Sequence, residues 1–490
     1  MSEYKHGAYG RLTTDSARAA AKGQSAMIYI GTAPVHLVAG GAEMVNKPIV
    51  VSSIADARKK MGYSDDWAKY TLCEAMYAHL ELAGVGPLVL INVLDPAKHK
   101  ASEKGSLSAT PAFGKITITD AGDVIVDTIT VTGKTLGTDY GISYDFSKET
   151  ITIEELASGA LGSEELTINW DKIDASAVTS ADVIGDTDDD GLNTGIYAIR
   201  NVYQLTGYIP SVMLVPGFSS DPDVHKAMVE NSLKVNGHWS VHLRTDLPLM
   251  DGETPLKLST AAAWKKSNGY NQLHETPYFP LAKGTDGRIY HHSVLAAANL
   301  QKLLLNQNGI PYTSPSNTEC SIIQNLYLGE GNEGRVYDDE IVNRMLNQHG
   351  IASSAFVSGR WAIWGSASGE YDPDNKTDFN VFETNVMMLF YLTNDFQHRR
   401  GKDVDGPMTP GDLKSIAREE QARLDALISI GALAFGEVSL SSERISRSDI
   451  VNGDYCFTFQ VSTTPLGKSL LADIYWTKDG YQAYYEAFGV

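Results

Sequence analysis

The feature that most constrains this chain is an interruption. Residues 25–99 and 192–309 read as alternating strands and helices, but residues 100–191 change to Thr-rich runs of period two. Lys115-Ile-Thr-Ile-Thr119, residues 124–132 and Thr150-Ile-Thr-Ile153 are separated by Gly and Asp turn signals. Such a stretch reads as an antiparallel β-sandwich or barrel inserted into a discontinuous α/β domain. Length agrees, because 490 residues exceed what one hydrophobic core organises and correspond to about two to four domains. The composition shift extends to Gly195: residues 100–195 hold 6 basic and 18 acidic side chains, so a net −12 of the chain's −20 sits there. Charge so concentrated is expected to face solvent, and the insertion to be dispensable for assembly.

On either side, the apolar runs 25–31, 88–94 and 211–215 predict buried strands, and 239–244 predicts a further one. Helices are expected at 54–61, along Trp67, Tyr70, Cys73, Tyr77 and Leu80, and at 192–205, 221–235 and 293–306. Residues 310–469 form an α+β C-terminal pattern: strands 321–328, 351–357, 433–440 and 454–461, with helices 338–348, 379–396 and 412–430. The fold class expected is therefore multidomain α/β and α+β, with an all-β insertion and extended arms at residues 1–24 and 470–490.

Composition excludes several functions. Forty basic against sixty acidic side chains argue against a general nucleic-acid surface, whose affinity comes from Lys and Arg. Cys73, Cys320 and Cys456 are odd in number and lack CxxC spacing, so neither a disulfide framework nor a zinc site is signalled. The start, MSEYKHGAYGR, has no apolar signal core and no run approaches 18 apolar residues, so a cytosolic product without membrane contact is expected.

Chemical motifs fail one by one. Gly329-Glu-Gly-Asn-Glu-Gly334 matches a dinucleotide fingerprint, yet Glu330 and Glu333 would set carboxylates beside a diphosphate, and a plain turn is the better reading. The P-loop tails at Gly467-Lys-Ser469 and Gly133-Lys-Thr135 have Ser462 and Thr128 where the first Gly is required. Asp186-Thr-Asp-Asp-Asp-Gly191 opens like a calcium loop but places Tyr197 at the twelfth position. His238 and His242 lack a metalloprotease Glu and fall on a strand, where i, i+4 spacing does not converge. No catalytic residue, cofactor or metal is expected.

The ends and one helix are more telling. Leu470, Ala472, Ile474 and Trp476 make one wholly apolar face of a strand, a pattern that demands sheet partners. The first 24 residues have no apolar stripe and span about 80 Å at about 3.3 Å per residue, enough to reach a neighbour's sheet edge. On the helix from Asp412, Leu413, Ile416, Ala417, Leu424, Leu427 and Ile428 form a stripe opposite Lys414 and Arg418. Glu420 falls inside that stripe and needs a partner, with Arg423 one turn later the obvious candidate. His398-Arg-Arg-Gly-Lys402 is the densest basic cluster and reads as a solvated loop able to meet an acidic surface through Arg399 and Arg400.

Three stretches resemble the contractile tail sheath proteins of bacteriophages and phage-tail-like particles. They are Tyr4-Lys-His-Gly-Ala-Tyr9 with Ser25-Ala-Met-Ile-Tyr-Ile-Gly-Thr-Ala-Pro34, then Leu346-Asn-Gln-His-Gly-Ile351 leading to Gly359-Arg-Trp-Ala-Ile-Trp-Gly365. The third is Asp405-Gly-Pro-Met-Thr409 with Glu420-Gln-Ala-Arg-Leu424 and Gly431. Ser366-Ala follows the Trp-Gly where sheaths usually have Arg-Thr. The resemblance implies a structural polymer, not an enzyme, built of six-subunit rings around a tail tube with baseplate and terminator partners. It also implies an inner C-terminal unit and an outer insertion. Tyr4, His6, Tyr9 and Leu12 would then pair with a neighbour's 470–477 strand, and Lys414, Arg418, Arg399 and Arg400 are tube-facing candidates. An α/β enzyme with an appended β domain, or an adhesive or capsid protein, are the alternative readings.

Overall fold

The computed structural model describes residues 25–331, 333–374, 382–440 and 445–489. The arm residues Tyr4, His6, Tyr9 and Leu12 lie outside the described residues. The chain divides into two compact units, one ending at Pro407 and one running from Met408.

The first unit is organised by a six-stranded sheet in the order Glu275–Tyr278, His242–Asp246, Ile209–Leu214, Ser25–Gly31, Leu88–Asn92, Pro48–Val51. The first five are parallel and Pro48–Val51 closes one edge antiparallel. Near-continuous apolar runs such as Leu88–Asn92 and Ile209–Leu214 are buried along their whole length, as parallel strands covered on both faces must be. Glu275–Tyr278 was not anticipated. Its sequence ETPY lacks an apolar run, and Pro277 is accommodated because the strand forms the other edge of the sheet.

Two expected helices differ in kind. The one expected to include Trp67 begins at Thr71, runs α to Met76 and continues as a π-turn from Tyr77 to Leu82. That expected over 192–205 is a 3₁₀ segment, Gly195–Asn201, followed by a short α-helix, Val202–Thr206. Periodicity alone does not distinguish these windings over one or two turns.

Between Leu88–Asn92 and Ile209–Leu214 stand two three-stranded antiparallel sheets. One orders Lys100–Ala109, Leu166–Ile173, Thr130–Val131 and the other Lys115–Ile118, Thr150–Glu155, Tyr140–Asp145. Their alternation is strict: Ile116, Ile118, Ile151 and Ile153 are buried in a core of their own with Ile168 and Trp170. Ile125, Ile173, Val178 and Val183 instead join the core of the parallel sheet. Polar ties reinforce this: the His36 ring bonds the Gly122 carbonyl at 3.0 Å, and the Gly40 N–H donates to the Asp127 carboxylate at 2.9 Å.

In the second unit the helix Pro410–Ser429 starts with a capping box, Thr409 and Asp412 exchanging bonds ahead of Pro410 at the first position. It buries Ile416, Glu420, Leu424 and Leu427. The antiparallel pair Leu433–Leu440 and Phe457–Thr463 packs on it, and the approach is close at Gly436, where an added Cβ would lie 3.0 Å from the Leu424 side chain. Residues 464–477 follow without regular structure, then the short helix Gln482–Phe488. The strand expected over 470–477 is therefore not formed: a strand exists only where a ladder satisfies its backbone, and the described residues supply no second edge to it.

Candidate assembly surface

Of the 24 large apolar side chains exposed among the described residues, 13 lie between Ile430 and Phe488. Leu470 is 95% exposed, Ile474 91% and Trp476 78%, and Ala472 between them is exposed as well. Soluble monomers rarely leave so much contiguous apolar surface uncovered. The two-stranded sheet of the same unit is closed along one edge. Midway along Leu433–Leu440, the outward-facing Gly436 carbonyl and Val438 N–H are both bonded by the Gln421 amide at 2.9 Å. A two-stranded sheet and an uncovered apolar segment thus occur in the same unit.

The basic candidates separate. Lys414 and Arg418 stand exposed on the helix Pro410–Ser429. Arg399 and Arg400 are not in a loop, as expected, but in the last turn of the helix Glu383–Arg400, where cations oppose the partial negative charge of the helix end. Arg399 Nε lies 2.8 Å from Asp395 and Arg400 Nη1 lies 3.2 Å from Asp403, so much of their charge is already answered. Glu420 is fully buried, with Arg423 three residues on along the same helix.

A second constellation escaped the sequence analysis. At the heart of the first unit Arg244, fully buried, donates to Glu383 and to the Tyr278 hydroxyl. Nearby, Tyr29 bonds His79 at 2.6 Å and His79 bonds Gln301 at 2.5 Å. Glu74 accepts from the His291 backbone and pairs with its ring, both at 2.6 Å. Asp246 accepts from the Ser293 N–H at 3.1 Å and from the Ser293 hydroxyl. Burial pushes His79 down to about 4. Burial alone would also lower His291, but the Glu74 carboxylate outweighs it and raises the imidazole to about 9. The only sequence signal was the polar run His242-Leu-Arg-Thr-Asp246 inside an apolar sheet, together with the His291-His292 pair.

These groups bind one another rather than lining a cleft. In open α/β sheets ligands enter at the carboxyl ends of strands where the order reverses, here between Ser25–Gly31 and Ile209–Leu214. Thr71 occupies that position. A Cβ at Gly31 would lie 2.3 Å from its hydroxyl, and one at Gly217 would lie 2.8 Å from its methyl. No helix among the described residues is long and apolar enough to cross a membrane.

This fold is similar to that of contractile sheath proteins. The fold is similar to a chain of the anti-feeding prophage baseplate (TM-score 0.55, 12% identity, 97% of this chain and 99% of that one). It is equally similar to a chain of the PVC sheath complex of an extracellular contractile injection system in its contracted state (TM-score 0.53, 12% identity, 98% and 99%). A sheath tail protein from Listeria innocua also aligns (TM-score 0.50, 11% identity, 92% and 94%). No protein-family model matches the chain. In sequence the chain is 28% identical over 458 residues, 89% of each protein, to the tail sheath protein of Burkholderia phage BcepMu. The resemblance to contractile tail sheath proteins thus holds in sequence and in fold, and these relatives are structural proteins rather than enzymes.

Proposed function

We propose that this chain is the repeating subunit of a contractile tail sheath. It stacks as six-subunit rings around a tail tube, between a baseplate and a tail terminator, and contracts to drive the tube through a target envelope. It assembles in the host cytoplasm and is carried in the tail of a virion or phage-tail-like particle. The observation that carries this reading is the second unit, a two-stranded sheet edge followed by an apolar face left uncovered at Leu470, Ile474 and Trp476.

An extended segment added to such an edge gains main-chain hydrogen bonds that tolerate varied side chains and persist while the connecting arm bends. Subunits tethered in this way can rotate as rigid bodies, which contraction requires. The tether we infer joins the arm around Tyr4, His6, Tyr9 and Leu12 of one copy to a sheet completed by Leu470, Ala472, Ile474 and Trp476 of another. A contact between different patches on successive copies grows into a helix rather than a closed dimer. Lys414 and Arg418 are the better tube-facing pair, since the charges of Arg399 and Arg400 are answered within the chain. Glu420 and Arg423 form the structural ion pair of that helix.

Electron microscopy of the purified full-length chain tests the reading: hollow tubes or stacked rings are expected, and a protein that stays monomeric at all concentrations overturns it.

A further inference from the structure

The insertion carries its own protruding apolar point. Ala112 and Lys115 exchange backbone bonds at 2.9 and 3.1 Å, leaving Phe113 and Gly114 as a two-residue hairpin turn. Both have positive φ, 52° and 72°, the type I′ geometry that favours Asn or Gly. Phe113 is therefore a bulky side chain in a strained backbone, and it is fully exposed. Leu156 and Leu136 stand exposed on the adjoining loops. The Glu155 N–H bonds the Gly114 carbonyl and the Leu156 N–H bonds the Asp139 carbonyl, which draws these turns to one end of the sheet. The Asp139 and Glu155 carboxylates rim this end, bonded to backbone N–H groups, while Lys115 next to the turn is paired with Glu154.

The same unit presents a recess that is largely polar in its lining and has Leu233 exposed in it. A groove of about 230 Å³ is lined by Arg200, Leu233, Lys234, Val235 and Asn236, among others. A cavity of about 150 Å³ accommodates a benzene ring, so one aromatic side chain fits. Its loop is tightly specified, with Lys234, Asn236 and Gly237 all at positive φ. Arg200 bonds only neutral partners, Thr187 and Asn231, and neither it nor Lys234 forms an ion pair among the described residues. Glu230 also lines the groove and is its single acid.

We infer that the Phe113 turn of one copy docks in the Arg200–Lys234 groove of a second copy. In a chain of net charge −20, copies repel unless local contacts are complementary, and here an acid-rimmed apolar knob meets a basic-rimmed recess. The knob and groove are different patches, so the contact is head-to-tail and compatible with helical growth. This rests on the self-association proposed above, and it gives the insertion a part in assembly in place of the dispensable role expected from its composition.

The test is cross-linking between two full-length variants in a Cys456→Ser background, one Phe113→Cys and the other Leu233→Cys, the remaining Cys73 and Cys320 being buried. A 113–233 disulfide, mapped by mass spectrometry, is expected in the mixture and in neither variant alone. Adding Lys234→Glu should cut its yield about tenfold. Phe113→Asn should raise the melting temperature, because it relaxes the turn, while weakening self-association about tenfold. A mixture that cross-links no more than its components, or an association that Phe113→Asn leaves unchanged, overturns the contact. Tubes that form without the cross-link reject this contact alone, and a cross-linked pair that never forms tubes rejects the sheath reading alone.

Discussion

Arg244 and Glu383 illustrate how costly a single buried charge is. Both are fully buried, and removing either partner leaves the other desolvated and unpaired, which costs about 3–5 kcal/mol. Arg244→Met should therefore lower the urea midpoint sharply, whereas Arg244→Met with Glu383→Leu should recover most of the loss. A double variant as unstable as the single one would show that the pair itself holds the core. The histidines set a pH dependence of known sign. Burial pushes His36, His79, His274 and His292 down to about 4, so the folded state keeps them neutral while the unfolded chain binds their protons below about 6.5. Their contribution is full above about pH 6.5 and is lost as pH falls toward 4. His291, raised to about 9, behaves in the opposite way: its contribution is full below about 6.5 and is lost as pH rises through 9. Denaturation midpoints across pH should peak near neutrality with a steeper acid limb, and His291→Gln should flatten the alkaline limb alone.

At the scale of elements, the insertion has a definable seam. The Asp174 N–H bonds the His99 carbonyl at 2.8 Å, closing the stalk where the chain leaves and returns. Excising residues 101–172 across that seam with a short Gly-Ser linker should leave a cooperatively unfolding protein. Excising 100–195 also removes Ile173, Val178 and Val183 from the main core and should cost several kcal/mol more. Equal melting temperatures for the two deletions would refute that division. The C-terminal strand shows what pattern alone cannot deliver. The alternation at Leu470, Ala472, Ile474 and Trp476 is legible in the sequence, but alternation states only that one face should be covered, and in the single chain the segment has no ladder.

For the whole molecule, the proposed tether makes the two ends decide between monomer and polymer. If it holds, deleting residues 1–20 gives a folded monomer, because the lost segment would serve a neighbour's sheet. A proline in the arm should harm assembly more than alanine at the same position, since it removes a ladder donor. Sedimentation of the two variants beside the intact chain measures this, and long tubes from the deletion variant would refute the tether.

What the sequence determined by itself was whatever local periodicity reports: the strands Ser25–Gly31 and Leu433–Leu440, the helix Ile54–Met61, the stripe that buries Glu420, and the change of pattern at residue 100. Burial on one face leaves a mark every two or every three to four residues, so it can be read without knowing the partner. Only the tertiary structure decided which partners meet. Arg244 finds Glu383 across 139 residues, Thr71 fills the crevice between Gly31 and Gly217, Asp395 and Asp403 answer the two arginines, and Gln421 closes one sheet edge. Satisfying a charge or a backbone group depends on contacts a few ångströms long between residues far apart in the chain, and no local pattern encodes them.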